Sequence, residues 1–268
     1  MRGPDINGLA FLYARACSAV DSGVMGSADR YQQALAPVPD IALRPVVRTP
    51  SGARMSDRVY EELTSAIRDL RLVPGAVLSE TDLSIRLGVS RTPLRETISR
   101  LVDQGLLRVV PQVGTSVALI DMAAVEEACF IRSALETAAF RDACAAVTPA
   151  VAGLRAILVR QEHAAASGDL DAFFHADEDL HQEVFRLGGH PGVWSVVQRS
   201  KLQLDRLRRL ILPAAITSRD LMNEHIRIVD LLEARDVDEG VELIRRHSRH
   251  VLRQASDVRT THPDYFVP

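Results

Sequence analysis

Apolar residues recur at helical spacing from about residue 56 onward. "DRVYEELTSAIRDLRL" places Val59, Leu63, Ile67 and Leu70 three or four residues apart, which predicts an amphipathic helix ended by "VPG". "SETDLSIRLGV" predicts a second helix. Ser79 is its N-cap, with Asp82 three residues on in the manner of a capping box. Leu83, Ile85 and Leu87 supply its apolar positions, and Gly88 stops it. Ser90 caps a third helix, which carries Leu94, Ile98 and Leu101 on one face and runs to Gly105. "LLRVVPQVGTSVALI" follows, with two β-branched runs around Pro111 to Gly114, a hairpin signal. Helix, helix, tight turn, helix, hairpin is the order of a winged helix-turn-helix.

From Met122 to about Ser256 nearly all the sequence reads as amphipathic helix. Breaks at "VTPAV", "SGD", "GGHPG", "LPAAITS" and "ARD" predict six or seven helices in an antiparallel bundle. The expected fold is mainly α: a winged helix-turn-helix over 55–121, an all-α bundle over 122–256 and a tail over 257–268. Residues 1–54 carry scattered Gly, Pro, Ser and Ala without a period, and "APVPDIALRPVVRTPSG" reads as an extended linker. This stretch is read as a disordered extension, or as a start-site artefact, because Met55 immediately precedes the first patterned element.

With 268 residues, 47% of them hydrophobic, the chain has room for two domains with cores. Its net charge of -3 makes it no polycation, so a nucleic-acid surface has to come from local clustering. Lys201 is the only lysine, and arginine carries nearly all the positive charge. Three cysteines without a CxxC pair argue for a reducing compartment. No apolar run approaches a membrane span. "LAFLYARACSAV" is interrupted by Arg15 and is rejected as a secretory signal, so the expected location is cytoplasmic.

Between Ser84 and Arg108, Arg86, Arg91, Arg95, Arg100 and Arg108 face only Glu96 and Asp103, a local excess of three positive charges. Arg91 and Arg95 are one helical turn apart at the start of the third helix, offset from the Leu94–Ile98–Leu101 face. Guanidinium forks suit guanine edges and phosphates. Thr92 and the helix N-terminus offer O–H and N–H groups to phosphate, and Gly114 lets backbone approach DNA closely. The plainer reading is a set of solvated arginines. Residues 57–121 resemble the DNA-binding domain of the GntR family of bacterial transcription regulators through "LSETDLSIRLGVSRTPLRETISRLVDQGLL…PQVGTSV". The resemblance implies base and phosphate contacts at Arg91, Thr92, Arg95 and Gly114. A further arginine of the family pattern falls on Thr81 here, which puts one contact in doubt.

In "DAFFHADEDLHQEVFRL", a 100° turn per residue groups Phe173, Asp177, Leu180, His181, Val184 and Leu187 on one side. His175 and Asp179 fall on the other and read as a surface pair. The same test places His225 in a stripe with Leu221, Ile228, Val229 and Leu232, and His247 among Leu243, Ile244 and Val251. His250 lies at the edge of that stripe, in reserve. Buried imidazoles and a carboxylate are costly unless paired or metal-bound, and a mixed N/O set suits a first-row divalent ion. Core hydrogen bonds and an Asp–His salt bridge are the plainer alternative. Residues 122 to about 256 resemble the all-helical effector (FCD) domain of the FadR-type subfamily, whose metal-binding version matches Asp177, His181, His225 and His247. That resemblance implies a divalent metal (zinc, nickel or manganese) that helps hold a small carboxylate effector. It also implies an effector-binding Arg132, whose alternative is a salt bridge to Glu136.

The expected function is a ligand-responsive transcription regulator, a repressor, acting as a homodimer on a palindromic DNA operator, and not an enzyme. One rival is a sensor whose only signal is the metal. The other is a metal-dependent hydrolase, which lacks an HExxH motif and a general base, since Glu178 and Asp179 fall off the site face.

Overall fold

The computed structural model describes residues 43–47, 54–110, 114–146 and 151–268. The N-terminal domain contains α1 (Met55–Arg68), β1 (Val77–Leu78), α2 (Glu80–Leu87), α3 (Arg91–Asp103), β2 (Leu107–Val110) and β3 (Gly114–Val117). Val59, Leu63, Ile67, Leu83, Leu87, Leu94 and Leu101 form its core. The hairpin pairs β2 with β3 antiparallel, from Leu107 opposite Val117 to Val110 opposite Gly114. A third strand that the periodicity did not predict, β1, pairs with the other edge of β3. Two residues are too short to register as a period.

Local chemistry sets the helix ends. The Ser79 hydroxyl accepts from Asp82 N, and Gly88 closes α2 in the left-handed region, with φ 69. Asp82 does not return a capping-box bond; it pairs with Arg86 at 2.7 Å. Ser90 stands at the N-cap of α3 without a side-chain cap bond. Two predicted core positions are corrected. Ile85 is 74% exposed, because it lies two residues, about 200°, from both Leu83 and Leu87. Leu70 lies beyond α1, at φ 59, and Leu72 enters the core instead as its N–H bonds Ala66 O.

Residues 43–47 lie against this domain. Leu43 is buried, Val46 N donates to Leu87 O at 3.0 Å, and Arg44 N donates to Glu62 at 2.8 Å. The rest of the extension through residue 53, read from sequence as disordered or artefactual, lies outside the described residues.

The second domain is built from α4 (Met122–Ala145), α5 (Ala152–Ser167), α6 (Leu170–Leu187), α7 (Trp194–Ser200), α8 (Leu202–Ser218), α9 (Asp220–Ala234), α10 (Val237–Ser248) and α11 (His250–Thr261). Its core includes Phe140, Leu180, Val184, Val229, Leu232 and Ile244. The break expected at "LPAAITS" is displaced. Helix α8 carries Pro213 inside it and ends at Ser218, where Arg219 turns left-handed. Another break, at Arg249, separates α10 from α11. Residues 257–268, read as a tail, continue α11 and then bury Phe266. Ile120 N donates to Tyr265 O and Val267 N to Ile120 O, so the C-terminal segment pins the short connection between β3 and α4. None of the described helices is long and apolar enough to cross a membrane.

Helix α8 also touches the first domain. Gln203 donates to Gly105 O at 3.1 Å, Arg206 to Ala118 O at 2.6 Å, and Arg209 to Asp69 at 2.9 Å.

Candidate metal and effector site, and the candidate DNA interface

Asp177 and His181 are one turn apart on the buried face of α6, His225 is on α9 and His247 is on α10. All four are nearly inaccessible to solvent. The structure brings the three imidazoles together as a group able to hold an ion, with one nitrogen from each inside a 4.8 Å span. His181 Nε2 and His247 Nε2 are 3.2 Å apart. Asp177 reaches the same point, Oδ1 3.5 Å from His225 Nε2 and Oδ2 3.9 Å from His181 Nε2.

The other nitrogen of each ring is held from outside. His181 Nδ1 faces Glu136 at 3.3 Å, His225 Nδ1 faces Gln161 at 2.8 Å, and His247 Nδ1 faces Glu224 at 2.8 Å. An acceptor at Nδ1 fixes the N–H there and leaves the Nε2 lone pair pointing inward. His225 Nε2 is buried with no hydrogen-bond partner. Burial pushes the His225 imidazolium pKa well below its ordinary value, against the pull of Asp177. Burial lowers His247 as well, with its Glu224 bond opposing. Both rings are therefore neutral, the form that binds metal. Burial alone would raise the Asp177 carboxyl, but two cations, Arg208 first and then Arg132, hold it well below the usual range. It is ionised and also suited to ligation.

Arg132, on α4, is buried and makes the ion pair with Glu136 at 2.7 Å. Its Nη2 also lies 2.5 Å from His181 Nε2 and 3.5 Å from His247 Nε2. His250 stays outside the cluster and contacts Glu224 at 3.4 Å and Arg253 at 2.9 Å. Asp179 pairs with Arg160 at the surface rather than with His175.

Sequence reasoning missed Arg208. It lies on α8 in the stripe Leu204–Arg208–Ile211–Ala215, so the test that picked the histidines, a polar residue inside an apolar stripe, would have found it. Arg208 pairs with Asp177 and lies 2.8 Å from Glu178 and 3.0 Å from Asp205. Lys201 closes the network at 2.5 Å from Glu178 and 2.6 Å from Asp205. Glu178, read as off the site face, belongs to this network. Helical angle alone does not show that α8 covers that side of α6.

A small cavity opens beside the cluster. Arg132, Asp177, Arg208 and His247 line its inner end. Phe174, Ile211, Leu212, Ala215, Leu221 and Val251 line most of the rest.

On the first domain, Arg91, Thr92 and Arg95 are exposed at the N-terminus of α3. Arg95 pairs with Glu80 of α2 at 2.9 Å while its side chain stays 65% exposed. Thr81 is exposed beside Glu80. With Arg95, three of the five clustered arginines are engaged within the domain, the others being Arg86 with Asp82 and Arg100 with Asp57 and the Tyr60 ring. Gly114 opens β3 at φ 120, a conformation that favours glycine, with space around its Cα. Residues 111–113 of the hairpin lie outside the described residues.

Family models give the same division of the chain. That for bacterial regulatory proteins of the gntR family matches residues 55–117, and that for the FCD domain matches residues 127–250. An HTH-type transcriptional regulator in an unstable DNA locus of Streptomyces ambofaciens is 38% identical over 210 residues, 78% of this chain and 88% of its own. The HTH-type transcriptional repressor RspR of Escherichia coli K12 is 30% identical over 213 residues, covering 79% and 93%. Among solved structures, E. coli McbR/YncC matches with a TM-score of 0.65 at 21% identity, over 76% of this chain and 98% of its own, which is a likeness of fold. With this arrangement of domains and these relatives, the chain belongs to the gntR family of bacterial regulatory proteins and is a DNA-binding transcription regulator with an FCD domain, not an enzyme.

Proposed function

We propose that this regulator is a ligand-responsive repressor whose helical domain holds a divalent transition metal and a small carboxylate effector. Asp177, His181, His225 and His247 would hold the ion through one oxygen and three imidazole nitrogens. Such a set suits zinc, nickel or manganese with positions left for a ligand. The ion would supply a Lewis-acidic attachment point for the effector carboxylate. Arg132, steadied by Glu136, is the cation of the chain that would take the same carboxylate at the inner end of the cavity. The observation that carries this reading is the outer shell. Three different acceptors turn three imidazoles so that their lone pairs converge.

DNA would be read by Arg91, Thr92 and Arg95 in the major groove, with Gly114 bringing the wing backbone to phosphate. Repression is the mode named for the relative RspR. The test is metal analysis of the purified chain, followed by operator binding at constant metal with a panel of small carboxylates. Bound transition metal and release of DNA by one carboxylate support the reading. A chain that takes up no transition metal overturns it, and release by metal alone favours a metal sensor.

A homodimer on a palindromic operator follows from helix-turn-helix logic. The surface we assign to it is the outer face of α4, where Ala123, Phe130, Ala134 and Ala138 are exposed, Phe130 by 72%. Glu127 and Arg141 flank Ala134 at equal sequence distance, both exposed. A second copy crossing antiparallel about Ala134 sets Glu127 against the partner's Arg141 and Phe130 against the partner's Ala138.

A further inference from the structure

The buried charges around the site do not balance. Three cations, Arg132, Lys201 and Arg208, meet four carboxylates, Glu136, Asp177, Glu178 and Asp205, and every one of these side chains is 14% exposed or less. The excess is one negative charge. Glu224 stands at the rim, more exposed and accompanied by His250, which Arg253 contacts in turn. The adjacent network of Arg68, Asp69, Arg209 and Asp171 is balanced within itself.

Histidine ligands bind as neutral imidazoles. A divalent ion on the Asp177–histidine set therefore turns one buried negative charge in excess into one positive charge. A single carboxylate cancels that charge. A second carboxylate held inside the cavity on the same effector would be buried without a counter-charge, which is expensive. The shape of the cavity gives the same answer independently. Past Arg132 and Arg208 most of its wall is Phe174, Ile211, Leu212, Ala215, Leu221 and Val251, which offer an apolar body area to bury; Ser248, His250 and Gln254 complete the lining, and His250 is already engaged by Glu224 and Arg253.

We infer that the effector is a monocarboxylate with an apolar body, aliphatic or aromatic, rather than a di- or tricarboxylate. The carboxylate lies at the Arg132 end, and the body lies along the wall formed by α8 and Val251. Leu221 is a specificity-determining residue at the outer, partly exposed part of that wall. This inference rests on the metal and carboxylate reading above and narrows it.

The test uses the full, metal-loaded chain and five probes at equal concentration: acetate, hexanoate, benzoate, succinate and citrate. Binding is read as a rise in Tm and confirmed by calorimetry, since a ligand of the native state raises Tm with its affinity and concentration. Hexanoate or benzoate should raise Tm, acetate should do so less, and succinate and citrate should not. If succinate or citrate binds as tightly as hexanoate and benzoate or more so, the monoanion inference fails while the carboxylate reading stands. If no carboxylate binds, both fail. Leu221→Arg supplies a readout that simple damage to the pocket would not give. It should weaken hexanoate and gain binding of adipate, a dicarboxylate whose far carboxylate reaches the new cation. Unchanged hexanoate binding with no gain of adipate would remove Leu221 from the wall that meets the effector.

Discussion

Arg208 donates to the Asp177 carboxylate from α8, while the next residue, Arg209, donates to Asp69 at the end of α1. The first contact reaches the candidate metal centre and the second reaches the DNA-binding domain. One helix thus carries adjacent guanidiniums into the two regions that a ligand-responsive regulator has to couple.

Arg208→Met should be strongly destabilising. It removes the cation shared by Asp177, Glu178 and Asp205, and breaking a buried pair from one side costs about 3–5 kcal/mol. Urea unfolding of the metal-free protein measures this. A change below about 1 kcal/mol, the range of exposed pairs, would show that solvent already screens the network.

The proposed metal centre should depend on its outer partners as well as its candidate ligands. Gln161→Leu keeps the bulk but removes the oxygen that orients His225. Metal affinity should fall roughly 10–100-fold, as for other outer-shell losses. His225→Ala should lower metal content further while the chain stays folded. Chelator competition with circular dichroism reads both. Wild-type affinity in Gln161→Leu would mean that the ring is held by packing alone.

The helices and the inward direction of Asp177, His181, His225 and His247 were legible because each polar residue interrupts an apolar stripe on its own helix. What was not legible is partnership between helices. Gln161, Glu224 and Arg208 matter through residues 20 or more positions away, a relation that no local period records. Ile85 misled because a β-branched residue two positions from two leucines resembles a core residue until the helical angle is applied. The strand β1 was hidden by its length. The C-terminal segment, polar enough to read as a tail, is ordered by one buried aromatic, Phe266, and by its bonds to Ile120.

At the DNA face, Arg95→Ala should cost roughly 1–3 kcal/mol in specific operator binding if Arg95 reads a base. Glu80 holds this guanidinium in the free protein, so Glu80→Gln should raise affinity at low salt by removing both the competing carboxylate and a charge that repels phosphate. Titrations of operator and unrelated DNA at matched salt separate the effects. Unchanged operator affinity in Arg95→Ala would place the contact elsewhere on α3.

The dimer surface can be tested by charge. Phe130→Glu puts an acid at the centre of the α4 face and should shift the protein to monomer in sedimentation velocity. Affinity for a two-fold operator should fall with it, because both half-sites are no longer held together. Restoring the dimer with Glu127→Arg plus Arg141→Glu, after either single change has weakened it, would establish the antiparallel register. A dimer that persists in Phe130→Glu means that another face pairs.

The contact between Asp69 and Arg209 should transmit the effector signal, and its pH dependence has a defined sign. Burial would raise the Asp69 carboxyl, but the hydrogen bond from Arg68 and the charge of Arg209 outweigh it and lower the group below its ordinary 3.8. The unfolded chain therefore takes up this proton first as pH falls. The stability Asp69 contributes is complete above about pH 5 and is lost as pH falls through the folded-state value. Asp69→Asn should cost roughly 1–3 kcal/mol at pH 7, the range for a charge-assisted hydrogen bond, and the deficit relative to wild type should shrink below pH 4. The variant should still bind operator when no effector is present, because α3 and the wing are untouched. Its DNA release by a saturating carboxylate should be weaker, because α8 no longer grips the end of α1. Unfolding curves across pH and operator titrations with and without effector measure the two effects separately. Full effector response in a variant that shows the stability loss would assign the coupling to Arg206 and Gln203 instead, the other α8 residues that bond the DNA-binding domain and the connection that follows it.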